Sequence, residues 1–235
     1  MPLLQLASAG TFLALAALLA LATTSTSPST DRRGVVRLPS PDTDGRMPVE
    51  QALLLRRSVR AFSERPLSLS AVSQLLWAAQ GLTAPDGRRT APSAGGLYPL
   101  EIHLVATRVE DLQPGLYRYS PSSHSLRLTA SGHMAPQFAR ASLDQDFIAA
   151  AAAVVLIAAV EERTARKYGS RSPRYVVFEA GAASENLALQ AAALGLGSVV
   201  VGAFDDKQVS KVARLRENER PLFLLPVGYP ATAVR

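Results

Sequence analysis

The sequence contains no cysteine, so the chain can form neither disulfide bonds nor thiolate metal sites. Iron–sulfur clusters and cysteine nucleophiles are excluded for the same reason. Any oxidation or reduction by this protein would therefore depend on a bound cofactor. With 235 residues, 48% of them hydrophobic, the chain is long enough for one domain with a substantial core.

The sequence also lacks a concentrated run of basic residues, although its formal net charge is +6. Nucleic-acid-binding proteins typically have clustered basic residues interleaved with aromatic residues. Here the arginines are scattered in pairs and are not interleaved with aromatic residues. We therefore expect no nucleic-acid partner. A few arginines that bind a phosphate-bearing cofactor would also account for part of this positive charge.

Common nucleotide-binding and catalytic motifs are missing or incomplete. There is no G-x-x-x-x-G-K-[ST] loop and no G-x-S-x-G elbow. GLGSVVVG fails as a dinucleotide-binding motif because Val200 stands at the third glycine position and the predicted order is helix, turn, strand. His103, His124 and His133 are far apart and lack H-E-x-x-H spacing, so no metal site is predicted.

The chain begins with an uncharged hydrophobic segment, residues 3–22. The run TFLALAALLALA is typical of a signal-peptide core or a single membrane anchor. The small-x-small sequence at residues 20–22 favours cleavage, whereas Arg32 and Arg33 on the far side favour an anchor. We expect a membrane-anchored or exported protein that contacts a membrane only through this segment.

The composition divides the rest of the chain at about residue 47. Residues 23–46 are rich in Ser, Thr, Pro, Asp and Arg with little apolar periodicity, so they are predicted to be a flexible linker. Residues 47–235 are expected to form one domain. Three helices are predicted from apolar positions at helical spacing: one after Pro48, one capped by Ser70 and ended by Gly81, and one over Tyr175–Leu194.

Four stretches are typical of strands. LEIHLVA, residues 100–106, alternates apolar and polar side chains, whereas residues 152–160 are apolar throughout, as in a central strand. SVVVGAF and PLFLLPVGYP are predicted to be two further strands, separated by a short helix capped by Asp205. Helices and strands mix without a regular βαβ rhythm, and this favours an α+β fold.

The residues most suggestive of chemistry form RRSVR, residues 56–60, after the first predicted helix. Arg56, Ser58 and Arg60 would point the same way in an extended chain and present two guanidinium groups and a hydroxyl. Such a set suits a phosphate and an electron-rich ring oxygen. Solvated arginines at a helix end would also complement the helix dipole, and the pattern alone leaves both interpretations open.

RRSVR resembles the R-x-S-x-R/K opening motif of the nitroreductase superfamily. PSAGGLYPLEIHLV is similar to the loop and strand of its SagB-type dehydrogenases, which act in thiazole/oxazole-modified peptide pathways. Residues 166–206 and 221–230 resemble the second half of those proteins in the same order. The resemblance covers residues 47–235 and implies an α+β, nitroreductase-like fold in which helices flank a mainly antiparallel sheet. It also implies a homodimer with flavin mononucleotide (FMN) at the interface.

By that resemblance, one set of residues would hold the FMN phosphate and ribityl chain. Arg56 and Ser58 would make these contacts, with Arg57 in the same run, and Arg235 takes the place of a C-terminal basic residue that meets the phosphate in relatives. Arg60 would lie at the pyrimidine edge of the ring. A cation there stabilises the anionic reduced flavin.

Two further sets would contact the flavin ring. Pro92, Ser93 and Ala94 would reach the flavin of the partner subunit. Gly202 and Ala203 would supply backbone beside the reactive flavin nitrogen, where small residues allow a close approach.

Lys167 and Tyr168 resemble the Lys-Tyr pair of azoline-oxidising members, in which a base removes a proton as hydride passes to FMN. A lysine base needs burial or a neighbouring cation, and Arg166 is such a neighbour. The alternative is a solvated lysine beside a packed tyrosine. Two residues depart from the family pattern. Ala182 replaces the histidine of the family's E-A-G-H, and Glu185 replaces the glutamine of the following Gln-Asn pair. Both changes are expected to affect substrate contact more than flavin binding.

Two functions of different classes follow from these observations. The first is an FMN-dependent oxidoreductase acting on a small-molecule or modified-peptide substrate, either as a SagB-like dehydrogenase or as a nitro or quinone reductase with NAD(P)H as electron donor. The second is a non-catalytic flavin-binding or partner-docking subunit. Ala182 is compatible with the second function, whereas the intact RRSVR motif argues against it.

Overall fold

Seven antiparallel strands form one sheet at the centre of the domain. The structure is a computed structural model and describes residues 34–232. In that range the strands are β1 (Val35–Arg37), β2 (Leu100–Ala106), β3 (Gly115–Ser120), β4 (Ser125–Ser131), β5 (Ala153–Ala159), β6 (Gly197–Ser198) and β7 (Arg220–Gly228). Their order is β1-β4-β3-β2-β5-β7-β6, and every neighbouring pair is antiparallel. The predicted α+β fold with a mainly antiparallel sheet is confirmed.

Helices cover both faces of this sheet. They are α1 (Val49–Leu55), α2 (Leu69–Gln80), α3 (Ala135–Ala141), α4 (Asp146–Ala150), α5 (Glu162–Tyr168), α6 (Ser172–Ala193) and α7 (Asp206–Val212). The longest, α6, packs against α2 and α1. α1, α2 and α6 lie where the apolar periodicity predicts helices, and α7 is the short helix predicted after Asp205, which caps it by accepting a hydrogen bond from the Gln208 amide at 2.9 Å.

The central strand β5 separates two hydrophobic cores. All seven of its residues are buried, because helices cover the sheet on both sides. Val155 and Ile157 belong to the core that contains α2 and α6, whereas Val154 and Leu156 belong to the core that contains α3, α4 and α7. Alternate residues of a strand point to opposite faces, so a strand with two covered faces is apolar throughout.

The linker prediction for residues 23–46 is wrong for its second half, which contains β1. Val36 and Leu38 are buried, and β1 pairs with β4. The Leu38 amide then donates to the His124 carbonyl at 3.1 Å. Three strand residues among Ser, Pro and Asp give no periodic signal, so composition places the start of the domain too late. Residues 23–33 lie outside the described part of the chain.

Two other boundaries differ from the sequence prediction. Ser68, rather than Ser70, caps α2, because its hydroxyl accepts a hydrogen bond from the Ala71 amide at 3.1 Å. SVVVGAF contributes only the second residue of β6 and two isolated bridges, from Ser198 to Ser58 and from Val201 to Leu224. β6 is the edge strand of the sheet, and the chain leaves the sheet soon after it.

The expectation of a transmembrane, membrane-anchored or exported protein is corrected. Across residues 34–232, no helix combines the length and the hydropathy that a bilayer span requires. The hydrophobic segment at residues 3–22, on which that expectation depends, lies outside the described residues.

Candidate functional site

The RRSVR segment leaves α1 and runs in an extended conformation beside β6. The Val59 amide donates to the Ser198 carbonyl at 3.0 Å, which holds the segment against the edge of the sheet. A Cβ atom at Gly197 would lie 2.6 Å from the Val59 Cβ, so this close approach requires glycine. Ser58 and Arg60, on either side of Val59, are exposed, as is Arg57, whereas Arg56 is partly buried.

The arginines of this segment have different partners. Arg57 Nη1 donates to the carbonyl oxygens of Leu54 and Arg56 at 2.8 and 2.9 Å, so Arg57 satisfies the end of α1 as the helix-dipole interpretation expects. Arg56 is only half-exposed, and its Nε lies 3.5 Å from a Glu185 oxygen. Arg57 therefore fits the helix-dipole interpretation, whereas Arg56 lies against a carboxylate.

Arg60 lies in the same region as the Gly202–Ala203 backbone. Its guanidinium faces the Phe147 ring at 5.8 Å and forms no ion pair with any residue in 34–232. Gly202 and Ala203 are exposed, and the Ala203 carbonyl accepts a hydrogen bond from Gln145 Nε2 at 2.8 Å. Gln145 and Phe147 belong to the same short stretch at α4, so α4 joins the two predicted flavin-contacting elements.

A cavity of 420 Å³ lies between the end of α1, the C-terminal half of α6 and the segment after β7. Basic side chains and hydroxyl groups line it, and no Asp or Glu among the described residues does so. Guanidinium and hydroxyl donors suit a phosphate group, and among the arginines Arg56 also lies against the Glu185 carboxylate. The polar lining residues are Arg56, Arg57, Ser63, Arg65, Ser198, Tyr229 and Thr232.

The predicted Pro92-Ser93-Ala94 loop is anchored to α6. The Ala94 amide donates to the buried Glu179 carboxylate at 2.8 Å, and Ser93 Oγ accepts a hydrogen bond from the Tyr98 amide at 2.8 Å. Burial raises the pKa of Glu179. The loop borders a second cavity, of 560 Å³, whose other lining residues are Arg171, Arg174, Tyr175, Phe178 and Glu179.

Lys167 and Tyr168 lie beside the same loop. A Cβ atom at Gly95 would lie 3.0 Å from both Lys167 Nζ and the Tyr168 hydroxyl. The Tyr168 ring packs edge-on against Tyr175 with centroids 4.9 Å apart, whereas Lys167 is exposed. The single chain therefore brings the predicted pair to the loop but does not supply the burial that a lysine base needs.

A chain of charged residues holds α5, which carries Lys167 and Tyr168, against the sheet. Arg163 of α5 forms an ion pair with Glu101 of β2, which also pairs with Arg118 at 3.2 Å, and Arg118 in turn pairs with Glu219. The Glu219 side chain is fully buried. Although burial opposes its ionisation, His103 and Arg118 beside it lower the pKa of Glu219 to about 2.

Comparison with known proteins places this chain in a family. The sequence profile described as the Nitroreductase family matches residues 53–229. The chain belongs to the nitroreductase family. The resemblance inferred from RRSVR and the later motifs is thereby confirmed.

Individual relatives agree with this assignment. MJ1384 of Methanocaldococcus jannaschii, which is assigned to the nitroreductases, is 43% identical over 180 residues, covering 77% of this chain and 90% of the relative. A nitroreductase-type crystal structure from Ralstonia eutropha JMP134 superposes with a TM-score of 0.75 and 33% identity, covering 87% of this chain and 94% of that one. The microcin B17-processing protein McbC of Escherichia coli is 28% identical over 157 residues, covering 63% of this chain and 57% of McbC. The peptide-processing branch is thus among the relatives of this nitroreductase.

Within one nitroreductase chain, the predicted site residues form two separate groups. Ala188 and Ala192 of α6 border the cavity beside RRSVR, whereas Tyr175 and Glu179 of α6 border the cavity beside the Pro-Ser-Ala loop. Glu179 and Ala188 are nine residues apart, which is about 14 Å along a helix. The two groups of predicted residues therefore border separate cavities along α6.

Some residues of these two groups were not predicted. Glu179 is the first residue of EAGA, in which only Ala182 departs from the family pattern. Arg65 belongs to no recognisable motif. Glu185, a departure expected to affect substrate contact, instead pairs with Arg56 of the predicted phosphate site. Arg235 lies outside the described residues.

Proposed function

We propose that this nitroreductase-family oxidoreductase binds FMN and transfers hydride between the flavin and a small-molecule or peptide-borne heterocyclic substrate. The observation that carries the proposal is the group formed by the arginine- and hydroxyl-lined cavity, the Arg60 guanidinium, which forms no ion pair within residues 34–232, and the exposed Gly202–Ala203 backbone at one edge of the sheet. The cavity suits the phosphate of FMN, the Arg60 guanidinium suits the pyrimidine edge of the ring, and the Gly202–Ala203 backbone suits the reactive ring nitrogen.

The residues at this edge fit the chemistry of the cofactor. The cavity offers guanidinium and hydroxyl donors for a phosphate. The exposed Ser58 hydroxyl lies along the chain between the cavity-lining Arg57 and Arg60. Gly202 has no side chain, and a Cβ there would meet only the Phe223 ring, at 3.7 Å or more. A flat ring can therefore approach the backbone closely at this point.

FMN, when bound, supplies two-electron hydride chemistry, and the chain supplies binding and electrostatics. The Arg60 guanidinium stabilises negative charge at the pyrimidine edge of the ring. The Gly202–Ala203 backbone would lie beside the reactive flavin nitrogen. Lys167 Nζ and the Tyr168 hydroxyl, beside the Pro-Ser-Ala loop, would bind or transfer a proton of the substrate.

We further propose a homodimer with FMN at the interface. The nitroreductase resemblance implies that the Pro92-Ser93-Ala94 loop of one subunit meets the flavin held beside RRSVR in the other, and the loop borders a cavity separate from the one beside RRSVR. Exposed apolar side chains on α1 and α6 are consistent with such an interface, because large apolar patches on isolated chains commonly mark contact surfaces. They are Val49, Leu53, Leu54, Val177 and Phe178.

The two forms of the proposal differ in the electron donor and acceptor. In the reductase form, NAD(P)H reduces the flavin, which then reduces a nitro compound or quinone. In the SagB-like form, an azoline ring in a peptide is oxidised and oxygen is the final acceptor. The similarity to McbC and the position of Lys167 and Tyr168 beside Gly95 support the second form.

An absorbance experiment tests the proposal and separates its two forms. Protein purified with added FMN and freed of excess cofactor should carry a flavin spectrum and have the mass of a dimer. Mixed anaerobically with NADPH, a reductase should lose its flavin absorbance, whereas a SagB-like dehydrogenase should keep it and lose it with an azoline peptide. Free FMN mixed with NADPH is the blank. Protein that takes up no FMN would refute both forms.

A further inference from the structure

Arg65 reaches the cavity through a short segment that is paired with the C-terminal part of the domain. The Ser63 amide donates to the Tyr229 carbonyl at 2.8 Å, and the Ala231 amide donates to the Ala61 carbonyl at 2.9 Å. These two bonds place the Arg65 guanidinium 3.8 Å from the centre of the Tyr229 ring. Both residues line the 420 Å³ cavity beside RRSVR.

Arg65 is the least engaged of the three arginines that line this cavity. Arg56 lies against Glu185, and Arg57 donates to backbone carbonyls. Arg65 has neither a hydrogen bond nor an ion pair with any residue between 34 and 232, and the neighbouring Glu64 carboxylate pairs with Arg108 at 3.3 Å. Its ring contact leaves every N–H donor of the guanidinium available.

Stacking on an aromatic ring restrains a guanidinium without using its donors. The planar group is held by its face, while the N–H bonds point outward in its plane, in the geometry that binds an oxyanion in a bidentate manner. A phosphomonoester carries a charge of about −1.5 to −2 at neutral pH, more than one guanidinium balances. A second cation that lines the same cavity as Arg56 therefore suits a phosphate site.

The geometry points to Arg65 as a phosphate-binding residue of this chain, acting together with Arg56 and held in place by the ring of Tyr229. The ligand is the phosphate group of bound flavin mononucleotide, so the inference rests on the proposed function. It adds a contact that lies outside the RRSVR motif. Riboflavin, which has the same ring without the phosphate, would not use this contact.

Comparison of FMN with riboflavin isolates the phosphate contact. Dissociation constants of both flavins are measured by fluorescence quenching for the wild type, Arg65→Ala and the control Arg127→Ala. Arg127 is an exposed arginine of β4, at the opposite side of the sheet from β6. Arg65→Ala should weaken FMN binding by about tenfold or more, as expected for a charge-assisted hydrogen bond, and leave riboflavin binding unchanged. Arg127→Ala should leave both constants unchanged.

Variants of Tyr229 test whether the ring positions Arg65. Tyr229→Phe keeps the ring and should bind FMN like the wild type, whereas Tyr229→Leu should lose part of the affinity for FMN and none for riboflavin. Unchanged FMN affinity in Arg65→Ala, or an equal loss for both flavins, overturns the inference while the proposed function stands. A wild-type protein that binds neither flavin overturns both.

Discussion

The Ala94 amide and the Glu179 carboxylate, 85 positions apart in sequence, form a hydrogen bond of 2.8 Å that fastens the Pro-Ser-Ala loop to α6. Glu179 is buried, so the bond is formed away from bulk solvent. The loop in turn lies against Lys167 and Tyr168. A single buried carboxylate thus connects the long helix, the loop and the predicted catalytic pair.

Replacement of Glu179 should therefore separate the loop from α6. Glu179→Ala leaves the Ala94 amide without its acceptor and should lower the free energy of unfolding by about 1–3 kcal/mol. Glu179→Gln keeps an acceptor oxygen and removes a charge that burial disfavours, so its loss should be smaller. Urea unfolding measures both values, and hydrogen exchange at Ala94 should accelerate only in the alanine variant. Equal losses in the two variants would show that the hydrogen bond is unimportant.

Gly197 should tolerate no side chain, because its Cα faces Val59 of the RRSVR segment. In Gly197→Ala the new Cβ would lie 2.6 Å from the Val59 Cβ, and relief of that overlap should cost about 1–3 kcal/mol of stability and displace Ser58 and Arg60. The double variant Gly197→Ala, Val59→Ala should recover part of the loss. Gly181→Ala, where nothing lies within 4 Å of the new Cβ, is the control and should be neutral or slightly stabilising. A Gly197→Ala variant as stable as the control would contradict the described packing.

His124 should make the fold less stable in mild acid. It lies between Ser73 at 2.7 Å, Tyr119 at 2.9 Å and the Pro39 carbonyl at 3.0 Å, and burial lowers the pKa of His124 below 6.5. The unfolded chain then binds a proton that the folded chain resists, so the free energy of unfolding should fall as the pH drops below 6.5.

Thermal unfolding at about pH 7.5 and about pH 5.5 measures the effect of His124. His124→Gln should be less stable than the wild type at the higher pH but should lose less on acidification. His133→Gln, at an exposed position, is the control and should behave like the wild type. An unchanged pH dependence in His124→Gln would show that another group causes the acid sensitivity.

Glu219 should stabilise the fold at neutral pH and cease to do so in strong acid. The pKa of Glu219 is about 2 in the folded chain and 4.5 otherwise, so the stabilisation is complete above pH 4.5 and is lost as the pH falls toward 2. Glu219→Gln removes one partner of a buried ion pair and should cost about 3 kcal/mol at neutral pH. Glu217→Gln changes an exposed neighbour and should cost nothing measurable. Equal stability of both variants would contradict the charged network.

The sequence predicts those parts of the fold whose signal is local. The apolar stripe of α2, the uninterrupted run of β5 and the Asp205 cap of α7 are properties of neighbouring residues, and the structure contains all three. β1 was missed because three residues become a strand only through pairing with β4, some ninety positions later. Strand formation at a sheet edge depends on such partners more than on propensity.

The site was predictable to a similar extent. The extended conformation of RRSVR follows from its own residues, but the ion pair of Arg56 with Glu185 and the stacking of Arg65 on Tyr229 arise only when distant segments meet. The separation of the two site groups along α6 is likewise a property of the folded chain. Motif order identifies the family, whereas these contacts require the structure.

Calorimetric titration with FMN measures whether the edge of the sheet near Arg60 binds the cofactor. The wild type should bind one FMN per chain, and Arg60→Ala should bind it more weakly by about 1.5–3 kcal/mol, the range for a charge-assisted hydrogen bond. Arg140→Ala, at an exposed position of α3, should match the wild type. Absence of FMN binding by the wild type, or identical affinities in all three proteins, would show that Arg60 and this edge of the sheet do not hold the cofactor.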